Sequence, residues 1–193
     1  MFLKRDAPHL LIVGVAGVKM GDRLVQIGCA NGGRLAAVAG KVGLSGRAVL
    51  VAPDEASAER GRRGAESAGV LVEVEIAPPT RLPLEASDFD LAIVDDTNGL
   101  FGGMRADDRA AAIREVARIL RPAGRLLLIG AAPRGGIAAL LSRAPEGPPF
   151  ADAAENALQA GGFRAVRTLA EREGLVFVEG VKPRQAGQAG GAG

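Results

Sequence analysis

The run Leu24-Val-Gln-Ile-Gly-Cys-Ala-Asn-Gly-Gly33 holds the residues of this chain best suited to chemistry. An apolar strand feeding a glycine turn that opens a helix brings backbone N–H groups and a positive helix end against a nucleotide-like ligand. Gly28-Cys-Ala-Asn-Gly-Gly33 fits Gly-x-Ala-x-x-Gly, a dinucleotide fingerprint lacking its central glycine, with Asp54 at a tolerable distance for a ribose. No tyrosine exists for the Tyr–Lys pair of many dehydrogenases. A second candidate, Asp95-Asp96-Thr97-Asn98, follows an apolar run at the edge where open α/β sheets bind ligands. Asp95 or Asp96 is a candidate general base for an attacking hydroxyl. Capping of the next turn is the plainer role for the same residues.

Other reactive types are sparse. His9, the only histidine, lies on a leading segment able to fold over the site, or simply starts a helix. Cys29 has no histidine nearby in sequence, so packing is expected of it rather than nucleophilic attack. No cluster of Cys, His or acids has metal-ligand spacing. Arg60, Arg62 and Arg63 share a predicted helix with Glu55, Glu59 and Glu66, which reads as a solvated face rather than a phosphate patch.

The elements that must position these residues alternate. A leading helix is expected within residues 6–20, a strand over 23–28 and a helix over 32–42. A strand over 46–52, a helix over 54–68 and a half-exposed strand over 70–76 follow. Next come a buried strand over 89–94, a long amphipathic helix over 107–120 ended by Pro122-Ala-Gly124, and a strand over 125–129. A Pro-rich stretch over 144–149, a lid or a plain surface connection, precedes a helix over 151–160. Strands over 163–169 and 175–181 close the chain, and their short turn Glu171–Gly174 makes them antiparallel. Such alternation predicts a Rossmann-like, doubly wound α/β fold: seven mostly parallel strands, an antiparallel C-terminal strand, and helices on both faces. Residues 1–21 form the leading segment, 22–182 the domain, and the Gly-rich 183–193 a disordered tail.

Composition bounds the rest. A chain of 193 residues suffices for one α/β domain with a proper core. No apolar run approaches the roughly 18 residues of a membrane span, the opening residues lack a signal-peptide pattern, and one cysteine suits a reducing cytoplasm. A net charge of +2 with no Trp or Tyr removes the basic surface and stacking platforms expected of a nucleic-acid binder.

Three further segments carry a family resemblance. Glu115-Val-Ala-Arg-Ile-Leu-Arg-Pro-Ala-Gly-Arg-Leu-Leu-Leu-Ile129, Leu82-Pro-Leu84 and Phe89-Asp-Leu-Ala-Ile93 lie in order with the glycine loop. Together, over about residues 20–182, they resemble class I S-adenosylmethionine-dependent methyltransferases of the small-molecule, ubiquinone-biosynthesis type. The resemblance implies that S-adenosylmethionine lies against Gln26, Gly28, Ala30 and Gly32, against Ala52 or Asp54, against Pro78, and against Asp95. It also implies direct methyl displacement onto a small hydrophobic acceptor.

The same register exposes departures. The acid that ends the family's first strand is Gln26 here, and its second glycine is Ala30. The ribose-gripping acid falls on Ala52, and the acid at the adenine amino group falls on Pro78. Asp54 or Glu55 would have to replace the ribose acid, while Gln26 can still hydrogen-bond the methionine end. Three lost charge-assisted bonds at roughly 2 kcal/mol each would weaken binding by about four decades. Two expectations follow: an active methyltransferase, or a non-catalytic homologue kept as a structural or regulatory partner of another protein or of a second copy.

Overall fold

The computed structural model describes residues 9–132 and 149–184. The leading residues 1–8, most of the Pro-rich stretch and the tail from residue 185 lie outside these. Seven strands form one sheet in the order β3-β2-β1-β4-β5-β7-β6. They are β1 (Arg23–Ile27), β2 (Arg47–Ala52), β3 (Glu73–Ile76), β4 (Phe89–Asp95), β5 (Leu120–Ala131), β6 (Arg164–Arg172) and β7 (Leu175–Val181). Only β7 runs against its neighbours, pairing antiparallel with both β5 and β6. The central strands are buried along nearly their whole length, as a sheet covered on both faces requires.

Alternate strand residues feed two cores. Val25, Ile27, Ala92, Val94, Leu126 and Leu128 pack under α4 (Ala106–Ile119) and α5 (Phe150–Ala160). Leu24, Leu91, Ile93, Leu127 and Ile129 face the other way, toward α1 (Leu10–Ala16) and α2 (Gly32–Val42). The helix α3 (Glu55–Ala68) lies beside α2, against Leu50 and Ala52. Gly32 and Gly64 make that contact possible: a Cβ on Gly64 would collide with the Gly32 backbone, and one on Gly32 with the Arg60 carbonyl.

Several boundaries differ from expectation for local reasons. α1 is shorter than residues 6–20 allowed, because Gly17 ends it in a left-handed conformation at φ 57°. β3 starts at Glu73, the first residue of its segment to pair with β2. Phe163 is not a strand residue; its N–H closes the end of α5 onto Leu158 O. α4 ends before Pro122, since Leu120 already pairs with Phe89. Both sheet edges are blunt: β3 is short and carries Glu73 and Glu75, while β6 is broken by register shifts and holds Ala165 at φ 49°.

Two of the sequence segments noted above bind each other. The Leu82 N–H donates to Glu115 Oε2 at 2.9 Å, and Arg118 donates to Leu82 O and Leu84 O at 3.0 and 2.8 Å. Arg118 and Glu115 also pair at 2.9 Å, which holds the Glu115 carboxyl below the usual carboxylate range. The crossing before β4 is thus fastened to the last turn of α4. Glu115→Ala and Arg118→Ala are each expected to cost about 1 kcal/mol, since both side chains are partly solvated. The double variant should cost clearly less than the sum, because each single change already frees the same loop. Urea denaturation of the three variants measures this, and strict additivity would show that the two side chains act independently of each other.

Candidate functional site

In the strand order, β1 is flanked by β2 on one side and β4 on the other, so the chain reverses direction across the sheet there. A crevice at the carboxyl ends of such strands is where α/β sheets take ligands. Gly28 ends β1 at φ 75°, a backbone shape that favours glycine. A Cβ there would lie 2.6 Å from Leu100 Cδ2 and 3.2 Å from Asp95 O, so the β4–α4 connection closes directly over the loop.

Asp95 organises this junction. Its side chain is 2% exposed, and Oδ2 accepts from the Ala30 N–H at 3.0 Å. Oδ1 accepts from Thr97 Oγ1 at 2.6 Å, and Arg34 Nη2 reaches both oxygens at 3.2 Å. Arg34 Nη2 also donates to Thr97 Oγ1 at 2.6 Å, while its Nε is buried with no acceptor among the described residues. With so many donors Asp95 is not a free base. Asp96 is the turn cap: its Oδ1 accepts from the Phe101 and Gly102 N–H groups at 2.6 and 3.2 Å. Burial raises its pKa, and the nearby Asp95 charge adds to that against the lowering by the two N–H groups.

The loop is also gripped from α3. Ser57 Oγ accepts from the Cys29 N–H at 2.9 Å, and Arg60 Nε donates to Cys29 O at 2.8 Å. Arg60 therefore does not belong to the solvated face, unlike Arg62 and Arg63, which pair with Glu55 and Glu59. Beyond the loop, Arg60, Arg63, His9 and Ser67 line an open groove of about 580 Å³ between α2 and α3, outside the crevice.

The remaining sequence candidates separate into two groups. Gln26, Gly28, Ala30 and Asp95 converge at the crevice; the Gln26 amide is buried and donates to Gly28 O at 2.9 Å. Gly32 meets α3 instead. Ala52 is 0% exposed, sealed among Cys29, Leu35, Leu50 and Ala58. Asp54 is exposed and caps α3, its Oδ1 accepting from the Ser57 N–H at 2.7 Å. Pro78 is exposed and offers no hydrogen-bonding side chain. Cys29 is buried and its thiol pushed up to about 11, by desolvation first and Asp95 second, so it is inert. His9 precedes α1 at φ 73° and rests against Gly33, 2.7 Å from where a Cβ would stand; burial lowers its pKa. Among the described residues no three His, Cys, Asp or Glu are grouped to hold a metal, and no helix is long and apolar enough to cross a membrane.

Sequence reasoning missed Arg34, Ser57 and Leu100. Arg34 did leave a signal. A cation in the first turn of a helix opposes the helix dipole, so it calls for a specific acid to hold it.

Comparison with known proteins agrees with this geometry. A family described as a methyltransferase domain matches residues 24–124. The ubiquinone/menaquinone biosynthesis C-methyltransferase UbiE of Cronobacter sakazakii is 28% identical over 119 residues, 61% of this chain and 45% of that protein. The chain spans less than half the length of the curated relatives it matches. A SAM dependent methyltransferase from Aquifex aeolicus superposes with a TM-score of 0.70 at 17% identity, covering 91% of this chain and 89% of that one. The (4+2)-cyclase SpnF superposes with a TM-score of 0.68 at 18% identity, over 91% and 79%. These structural likenesses concern the fold.

Asp96 supplies a pH test. A carboxyl whose folded pKa is raised above 3.8 binds its proton more tightly in the folded chain. Its contribution therefore favours folding at acid pH and is lost as pH rises from about 4 through the raised value. Asp96→Asn keeps an oxygen for the Phe101 and Gly102 N–H groups and cannot ionise. It is expected to be at least as stable as the natural chain at about pH 7, and to lack this group's fall in stability with pH. Denaturant unfolding across that range checks it.

Proposed function

The chain belongs to the methyltransferase domain family, and we propose that it is a class I S-adenosylmethionine-dependent methyltransferase acting on a small hydrophobic metabolite. The observation that carries this reading is the Gly28–Asp95 junction: a tight glycine turn at the switch point, faced by a charged pair, with the family's framework intact around it.

The residues fit one end of the cofactor better than the other. Gln26, Arg34, Asp95 and the loop backbone supply charges and amides suited to an amino-acid group. At the ribose end, Ala52 is sealed and Asp54 has one carboxylate oxygen engaged as a helix cap. When bound, the cofactor supplies an electrophilic methyl group on a sulfonium. The chain's own part is to hold an acceptor in line and keep water away. Leu100, Met104 and Phe150, half-buried hydrophobics flanking the carboxyl ends of β4 and β5, suit an apolar acceptor. With Asp95 and Asp96 both committed, positioning rather than a side-chain base supplies the rate, a contribution that reaches several kcal/mol in well-oriented systems.

A second reading, a homologue that no longer binds S-adenosylmethionine and serves as a partner of another protein or of itself, is favoured by one observation. Ala52 stands at 0% exposure where a ribose-gripping acid is expected, so no ligand touches it without rearrangement.

Thermal melting with millimolar S-adenosylmethionine separates the two. The active reading expects a clear rise, since a ligand at 100 times its dissociation constant adds about 2.7 kcal/mol. Ala30→Gly, the reversal the fold tolerates without burying a charge, should bind more tightly still by calorimetry. A shift seen only in Ala30→Gly would mean the natural crevice is switched off.

A further inference from the structure

We propose that the groove between α2 and α3 is a binding site for a phosphate monoester carrying a compact apolar group. The site lies outside the crevice and does not depend on the methyltransferase reading.

The groove, of about 580 Å³, is built from one face of each helix. On α3 its lining residues are Arg60, Arg63, Gly64, Ser67 and Ala68, the i, i+3, i+4 spacing of a single face. On α2 the facing wall is Gly33, Ala36 and Ala37. Packing explains why the space is open. Gly32 and Gly64 bring the helices so close that neither position tolerates a Cβ, and the next turn of α2 carries only the methyl groups of Ala36 and Ala37.

No acid lines the groove, and its polar side chains are donors held ready. Arg60 Nε donates to Cys29 O at 2.8 Å, while neither of its terminal nitrogens has an acceptor among the described residues. Arg63 repeats the pattern: its Nε faces Glu59 at 3.1 Å, and its terminal nitrogens make no hydrogen bond among the described residues. Arg62, which does not line the groove, instead engages Nη1 with Glu55 at 2.5 Å. Two guanidinium forks thus remain for ligand oxygens. His9 stands at the same groove, its Nε2 2.7 Å from where a Gly33 Cβ would lie. The positive end of α2, at Gly32 and Gly33, adds to the attraction for an anion.

These features select a ligand class. A fork already fixed through its Nε costs little to order when an oxyanion arrives. Arg60, Arg63 and His9 match the three terminal oxygens of a phosphate monoester better than the two of a carboxylate. The methyl floor of Ala36, Ala37 and Ala68 favours an apolar body on the ester oxygen. From sequence the arginine run reads as a solvated helix face. That holds for Arg62, but Arg60 forms no ion pair among the described residues and leaves the groove positive.

His9 is the only histidine of the chain, so its ring resonances in proton NMR report on this groove unambiguously. Phenyl phosphate titrated into the full chain is expected to shift them saturably. Its affinity should be at least about tenfold tighter than that of inorganic phosphate, because the ring adds apolar contact. Ala37→Glu sets a carboxylate on the floor, leaves the Arg60–Cys29 bond untouched, and should weaken phenyl phosphate at least about tenfold. Arg63→Met, at a side chain 68% exposed, should weaken it about threefold. No shift with either phosphate, equal affinity for the two, or the same shift with sodium chloride at matched ionic strength overturns the inference. So does a folded Ala37→Glu chain that binds phenyl phosphate as the natural chain does. If Ala37→Glu does not fold, unchanged binding by Arg63→Met overturns it instead.

Discussion

One buried carboxylate, that of Asp95, holds together the three segments that meet above β1 and β4. Its donors come from the glycine loop, from the first turn of α2 and from the start of the β4–α4 connection. A carboxylate taken out of water this far needs hydrogen-bond partners, and the dependence runs both ways. Without Asp95, Arg34 would be a buried cation with only a hydroxyl to face, and the Ala30 N–H would lose its acceptor. The crevice is therefore tied together by an electrostatic junction that the strand order makes possible by setting β1 beside β4.

The glycines around this junction show what the fold itself demands. Gly28 needs its freedom because φ is 75° and Leu100 lies on it. Gly32 is required by the close approach of α3. Position 30 carries neither demand: its φ is not positive, and its N–H bonds to Asp95 whatever the side chain. The two glycines that remain are those folding enforces, and the one replaced is the one only a ligand would enforce. A damaged glycine motif is thus weaker evidence about binding than its letters suggest.

Much of the architecture is legible in the sequence because it rests on local rules. Unbroken apolar runs such as Leu91–Val94 mark strands buried on both faces, and Asn31 and Asp54 cap the helices they precede. The candidate site is only half legible. Gln26, Gly28, Ala30 and Asp95 can be named from the strand ends, yet their partners cannot. Arg34 and Asp95 are 61 residues apart, and Cys29 and Ser57 are 28 apart, so no periodicity links them. The role of Asp54 as a helix cap is of the local kind. From sequence Asp54 is an acid near the end of β2, and in the fold its Oδ1 takes the N–H of Ser57 three residues on.

Family signatures and ligand anchors answer to different forces. Leu82, Leu84, Glu115 and Arg118 satisfy one another, and any chain that folds this way gains from them whether or not a cofactor binds. Position 52 has no such internal partner, and the alanine there packs in the cluster with Ala58 and Leu50. The (4+2)-cyclase SpnF on the same fold makes the parallel point that architecture does not fix chemistry. In this chain the buried charges of the crevice are on the Arg34–Asp95 side, where they satisfy each other in the fold, while Ala52 and Pro78 carry none.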